Sequence, residues 1–200
     1  MKIDNVRVYG MADSIVASGL PMSVKHDAKW FDDEVLELDI FGDDELNTDK
    51  HYSRAFKLAD NPTASGHLTF LSGIIVQMNI TATVKWWEQW QRYHFQQIVS
   101  SMSTMHRLRR MMKENTIRFN ENTSPKVIST FMEILTDESV TDEQLAYSCP
   151  MGIELTARVS TNYLQLKTMY EQRKHHKLKE WHDFIDVIKT LPYARQFIGV

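Results

Sequence analysis

Two hundred residues, 42% apolar and 24% charged, with a net charge of −3, fit a globular chain and exclude a fibrous repeat or wholesale disorder. A chain of this length buries roughly 70% of its unfolded surface, so a core forms without disulfides or a structural metal, and Cys149, the single cysteine, has no intramolecular partner. The near-neutral balance disfavours a general nucleic-acid binder, no apolar run reaches the roughly 20 residues that span a bilayer, and Met1 to Asn5 lack the order of a secretory signal, so one cytoplasmic domain over residues 1–200 is expected.

Ile3, Val6 and Val8 suggest a first strand before Gly10. Acidic residues crowd Asp27 to Asp49, and within them Leu36, Leu38 and Ile40 alternate with Glu37 and Asp39, the pattern of a half-buried strand. Ile74, Val76, Met78 and Ile80 alternate in the same way with Gln77 and Asn79. From Val84 to Lys113 there is neither Gly nor Pro, and Trp86, Trp90, Tyr93 and Gln97 recur at helical spacing. This predicts one long Trp-rich helix, or two joined at Ser100-Ser101. His106 to Arg118 is basic and reads most simply as a solvated face.

Pro125 to Leu135 is a further helix, with Pro125 suited to its first position. Thr141 to Ala146 is a short one with Thr141 and Gln144 spaced as a capping box. Met151 to Ser160 alternates as a strand. Asn162 can then cap a helix carrying Gln165, Leu166, Met169 and Tyr170, and Trp181, Phe184, Ile185 and Ile188 form a last apolar stripe before Pro192. Strands and helices mix without a βαβ rhythm, so the class is α+β.

The seven glycines build neither a dinucleotide fingerprint nor a P-loop, and the cysteine and histidines offer no zinc set. His175 and His176 read as a solvated basic turn, His182 as a local pair with Glu180 or Asp183, and Cys149 as a small buried hydrophobe rather than a nucleophile. The informative stretch is Gln89-Trp90-Gln91-Arg92-Tyr93-His94, which mixes polar and aromatic side chains. Trp86, Trp90 and Tyr93 are most simply core, whereas Gln89 and Arg92, three apart, are suited to a ligand's amide and phosphate.

With its flanks, this stretch resembles the flavin-dependent thymidylate synthases, the ThyX family. Gly66-His67 falls at the family's histidine ahead of a sheet strand, and Gln89-Trp90-Gln91-Arg92 matches its Gln-Trp-x-Arg. Pro150 through Asn162 to Arg173 matches a second block, with Asn162 and Arg173 on its Asn and its helix Arg. The two blocks cover about half the chain. The signature Arg-His-Arg-x-x-Ser-x-Asn/Gln-Glu/Gln-x-Ser-x-Arg is degraded: of Arg92, Tyr93, His94, Gln97, Val99, Ser100, Met102 and Thr104, only Arg92 is kept. Ser103 and Arg107 lie close enough to substitute for the lost anion contact. Ala146 stands at a nucleotide-gripping arginine, and Leu178-Lys179-Glu180-Trp181 at the family's Ala-Gln-x-Glu.

The resemblance implies a central, mostly antiparallel sheet, a long helix after it and C-terminal helices, in a homotetramer with sites between subunits. It implies FAD, a folate one-carbon donor, NADPH and a dUMP-like substrate. His67, Arg92, Tyr93, His94 and Asn162 would meet the flavin, and Gln89, Arg92, Ser103 and Arg173 the nucleotide. Two functions follow: modification of a pyrimidine deoxynucleotide at C5, or a non-catalytic descendant that binds a nucleotide or a protein partner.

Overall fold

The computed structural model describes residues 1–24, 27–40 and 49–200. The elements run β1 (Lys2–Tyr9), α1 (Met11–Ala17), α2 (Ala28–Ile40), α3 (Lys50–Ala59), a 3-10 stretch (Gly66–Gly73), β2 (Ile75–Thr83), α4 (Val84–Trp90), β3 (Gln96–Ser101) and α5 (Thr104–Lys113). They continue as α6 (Pro125–Thr136), α7 (Asp142–Tyr147), β4 (Glu154–Asn162), α8 (Tyr163–Arg173), α9 (Lys179–Lys189) and α10 (Ala194–Phe197). The class is α+β. One antiparallel sheet has the order β1-β2-β4-β3.

The sheet follows from period-two alternation. Val76, Met78, Ile80 and Ala82 of β2 and Ala157 and Val159 of β4 face one side and are buried. Against them pack Ile15, Val16, Leu68, Leu71, Trp86, Trp90, Leu166, Met169, Trp181 and Phe184, in one contiguous core. Each fully buried large aliphatic or phenyl side chain stabilises the fold by about 1.5–3 kcal/mol. The opposite face is polar, and Arg158 knits it by donating to Asn5 O at 2.8 Å, Asn79 Oδ1 at 3.2 Å and Gln77 Oε1 at 3.3 Å. Both edge strands are irregular. β1 shifts register between Asp4 and Arg7, with Asn5 at φ 51°, and β3 shifts between Ile98 and Ser100, which blunts both edges against further pairing. A second cluster of Leu108, Phe131, Leu135, Leu145 and Ile153 joins α5, α6 and α7 to the start of β4.

Two expected elements are corrected. Leu36 to Ile40 belongs to α2, not to a strand. Leu36 is 61% exposed while Leu38 is buried, so the alternation is incidental, and the i, i+4, i+8 set Trp30, Glu34, Leu38 is the pattern that the helix uses. Residues 41–48 of the acidic block lie outside the described residues. The long Trp-rich helix from Val84 to Lys113 is three elements. α4 stops at Trp90, residues 91–95 turn, and β3 pairs with β4 through Ile98 opposite Val159 before α5 begins at Thr104. The absence of Gly and Pro permits a helix without requiring one, and Ile98-Val99 is β-branched. Elsewhere the expected caps are present: Thr141 and Gln144 form the capping box of α7, and Asn162 Oδ1 accepts from Gln165 N–H at 2.8 Å.

α4 has only seven residues, too few to be stable alone, and is fixed at its start by a buried carboxylate. Glu180, 3% exposed, accepts from Thr83 N–H at 2.9 Å and from the Thr83 hydroxyl at 2.7 Å, while Thr83 Oγ1 accepts from Trp86 N–H at 3.1 Å. The carboxylate also meets the positive end of the helix. Thr83→Val deletes the cap and strips one donor from a buried anion, so it should lower stability by about 2–4 kcal/mol in urea denaturation. A loss below about 0.5 kcal/mol, the level of an ordinary surface substitution, would contradict this arrangement.

Candidate functional site

The turn after α4 carries the polar and aromatic residues singled out in the sequence, and its backbone is braced from several sides. Phe95 N–H donates to Gln165 Oε1 at 3.2 Å, and Phe95 C=O accepts from Thr161 Oγ1 at 3.1 Å. Gln96 Nε2 donates to Tyr93 C=O at 3.2 Å, and the Trp90 indole N–H donates to Gln96 Oε1. Gln165 and Thr161 are themselves buried. The turn is therefore built from the end of β4 and the first turn of α8, where Asn162 sets Gln165 by capping.

This brace displays Arg92, His94 and Phe95 to solvent. Two clefts of about 410 Å³ each adjoin there. One is lined by Arg92, Tyr93, His94, Phe95, Gln165 and Arg173, among others. The other is lined by His94, Phe95, Gln97, Ser160 and Asn162 beside Ile75. His94 and Phe95 belong to both and form the rib between them.

Arg173, at the end of α8, is held by two aromatic rings and one hydrogen bond. Its guanidinium carbon lies 4.9 Å from the Trp181 ring centroid and 5.5 Å from that of Tyr93, and its Nε donates to Tyr93 Oη at 2.8 Å. Among the described residues neither Nη has a hydrogen bond, and Arg92 has no ion pair. One held cation, Arg173, and one exposed cation, Arg92, thus flank one cleft with donors to spare, which suits an oxyanion. Gln89 supports this indirectly: its Oε1 accepts from Trp181 Nε1 at 2.8 Å and fixes the ring on which Arg173 rests.

The structure brings together Arg92, Tyr93, His94 and Arg173, with Asn162 across the rib. Tyr93 is 8% exposed and serves as Arg173's bed. Gln89, His67 and Ser103 do not line either cleft. His67 is exposed on the 3-10 stretch, and Ser103 precedes α5 without a side-chain cap bond. Phe95 and Gln165 are the residues that sequence reasoning missed as site residues; Gln165 carried only a capping signal, and Phe95 carried none.

Other candidates fit less well. A cleft of about 520 Å³ lies beside Arg109, but that guanidinium is spent on Leu135 C=O at 2.7 Å, Asp137 C=O at 3.0 Å and Val140 C=O, with Asp142 at 3.4 Å. Arg110 of the same basic stretch pairs with Glu114. Burial pushes the Cys149 thiol up to about 11, the opposite of an activated nucleophile. Among the described residues no group of His, Cys, Asp and Glu forms a metal set, and no helix is long and apolar enough to cross a membrane.

Solved structures share this architecture. A flavin-dependent thymidylate synthase ThyX from Helicobacter pylori, complexed with FAD and dUMP, aligns over 99% of this chain and 97% of its own with a TM-score of 0.69 at 13% identity. Another ThyX structure from that organism, with FAD and dUMP, aligns over 96% and 95% with a TM-score of 0.70, also at 13% identity. The chain has the ThyX fold. No family model and no curated protein matches it.

The cationic environment has a titratable reporter. Burial first, then the charges of Arg173 and His182, holds His176 below its ordinary value of 6.5. The unfolded chain takes up that proton at higher pH than the folded one, so this residue costs stability as pH falls through 6.5. Arg173→Gln should move the His176 titration upward in NMR while leaving it below 6.5, because burial remains. An unchanged or lowered value would contradict the placement of the guanidinium.

Proposed function

We propose that this chain is a divergent, FAD-dependent thymidylate synthase-like protein that binds a dUMP-like pyrimidine deoxynucleotide and modifies it at C5. The observation that carries the reading is the set of Arg92, His94 and Arg173 around two adjoining clefts on a ThyX fold. The donor set fits the implied cofactor: two guanidiniums with free donors suit phosphate oxygens, and the rib offers an exposed aromatic face. Bound reduced FAD would supply the hydride, with folate as one-carbon donor and NADPH as reductant.

The chain's own residues bind and orient. Arg92 and Arg173 hold anionic oxygens in place, and cations there lower the cost of charge developing on a pyrimidine ring. Tyr93 and Trp181 shield the back of Arg173 from water. Asn162, whose Oδ1 is engaged in capping, has its amide donors to offer from the second cleft. His94 stands between the clefts, where it serves either ligand. Gln89 acts on the nucleotide side through Trp181. His67 and Ser103, away from both clefts, would serve a neighbouring subunit's site in a cytoplasmic homotetramer of such single-domain chains.

A second reading, a catalytically inactive relative that binds a nucleotide or a protein partner, is favoured by Met102, Thr104 and Ala146 at positions where the resemblance calls for Ser, Arg and Arg. Two lost charge-assisted contacts at about 1.5–3 kcal/mol each weaken monophosphate binding by about a hundredfold or more unless replaced.

Purified protein titrated with FAD and dUMP, and assayed with methylene-tetrahydrofolate and NADPH, separates the readings. The first expects a bound-flavin absorption band, a thermal shift with dUMP and turnover. Binding without turnover favours the second, and failure to bind either ligand overturns the pyrimidine-nucleotide assignment. Arg173→Ala should weaken dUMP binding by about tenfold or more. Unchanged affinity would remove Arg173 from the site.

A further inference from the structure

Phe95 is a large apolar side chain that is 69% exposed, on a backbone that the fold braces. Both polar groups of its backbone are tied to buried side chains, the N–H to Gln165 Oε1 and the C=O to Thr161 Oγ1, so the point from which its ring emerges is fixed. The ring stands on the rib that divides two clefts, with Arg92 and Arg173 on one side and Asn162 on the other. The more exposed Met22 and Tyr147 lie at the ends of short helices and line neither cleft. An exposed aromatic face on a braced backbone, beside cations and hydrogen-bonding side chains, matches a flat heteroaromatic ring carrying phosphate.

We infer that Phe95 is the stacking platform for the isoalloxazine ring of the flavin, with the phosphate-bearing chain running toward Arg92 and with Arg173 left to the nucleotide. This rests on the flavin reading above and adds to it a specificity residue outside the degraded signature positions. The platform requires an aromatic ring and not merely apolar area, so leucine and tryptophan at this position have opposite consequences.

The test is FAD titration of the full-length wild type and of Phe95→Leu, Phe95→Ala and Phe95→Trp, with dUMP affinity, thermal midpoint and mass in solution measured alongside. Phe95→Leu and Phe95→Ala should weaken FAD binding by about tenfold or more with unchanged midpoints, since the ring contributes little to the core. Phe95→Trp should keep the affinity and quench flavin fluorescence, because an indole in face contact with the ring quenches it. If wild type binds FAD and Phe95→Leu binds it equally well, the platform is refuted while the flavin reading stands. A loss confined to dUMP also refutes it, as does a fall in mass with FAD affinity intact, which would make Phe95 a subunit contact. A wild type that binds no FAD overturns both.

Discussion

Two consecutive residues of α9 hold the seven-residue helix α4 at both ends, and the candidate site depends on that grip. Glu180 anchors the start through Thr83, and Trp181 anchors the far end through Gln89 while packing on Trp86 with ring centroids 5.0 Å apart. A helix this short has no stability of its own, so its position is set by tertiary contacts. Residues 91–95 leave from its end. Fixing α4 therefore fixes where Arg92, His94 and Phe95 emerge, and the same Trp181 ring supports Arg173 from the other side. One tryptophan thus links the core to both cations of the site.

The sheet and the C-terminal half were legible because their signals are local. β2 and β4 alternate strictly, and Thr141 and Asn162 cap as their spacing says. The failures have the same physical origin in reverse. Leu36, Leu38 and Ile40 mimic a strand only if Trp30, Phe31 and Val35 are ignored, and these are the side chains that α2 packs against the core. The Val84 to Lys113 segment has helical periodicity in Trp86, Trp90 and Tyr93 because all three enter one aromatic cluster. Tyr93 does so from a turn held by long-range partners such as Gln165 and Thr161, which no local pattern records.

The site was half legible for a related reason. Arg92, His94, Asn162 and Arg173 fell on or beside a family pattern, and the fold gathers them. Gln89 matched the same pattern, yet its amide oxygen accepts from Trp181 and its side chain lines neither cleft. Phe95 and Gln165 matched nothing: one is an exposed apolar residue and the other a buried amide, and they gain meaning only from the hydrogen bond between them. The basic stretch after β3 is only partly solvated. It reads as a solvated face, but Arg109 ties α5 to the end of α6 and the link after it through backbone carbonyls, while Arg110 pairs with Glu114.

On the proposed function, a braced turn, and not the more basic α5 helix, receives the anionic ligand. Backbone NMR of the protein titrated with FAD and dUMP tests it most directly, residue by residue. Amide perturbations should concentrate at residues 92–97, 160–165 and 172–173, with the Phe95 amide among the largest. Perturbations centred on residues 104–113, or spread evenly over the surface, would contradict it.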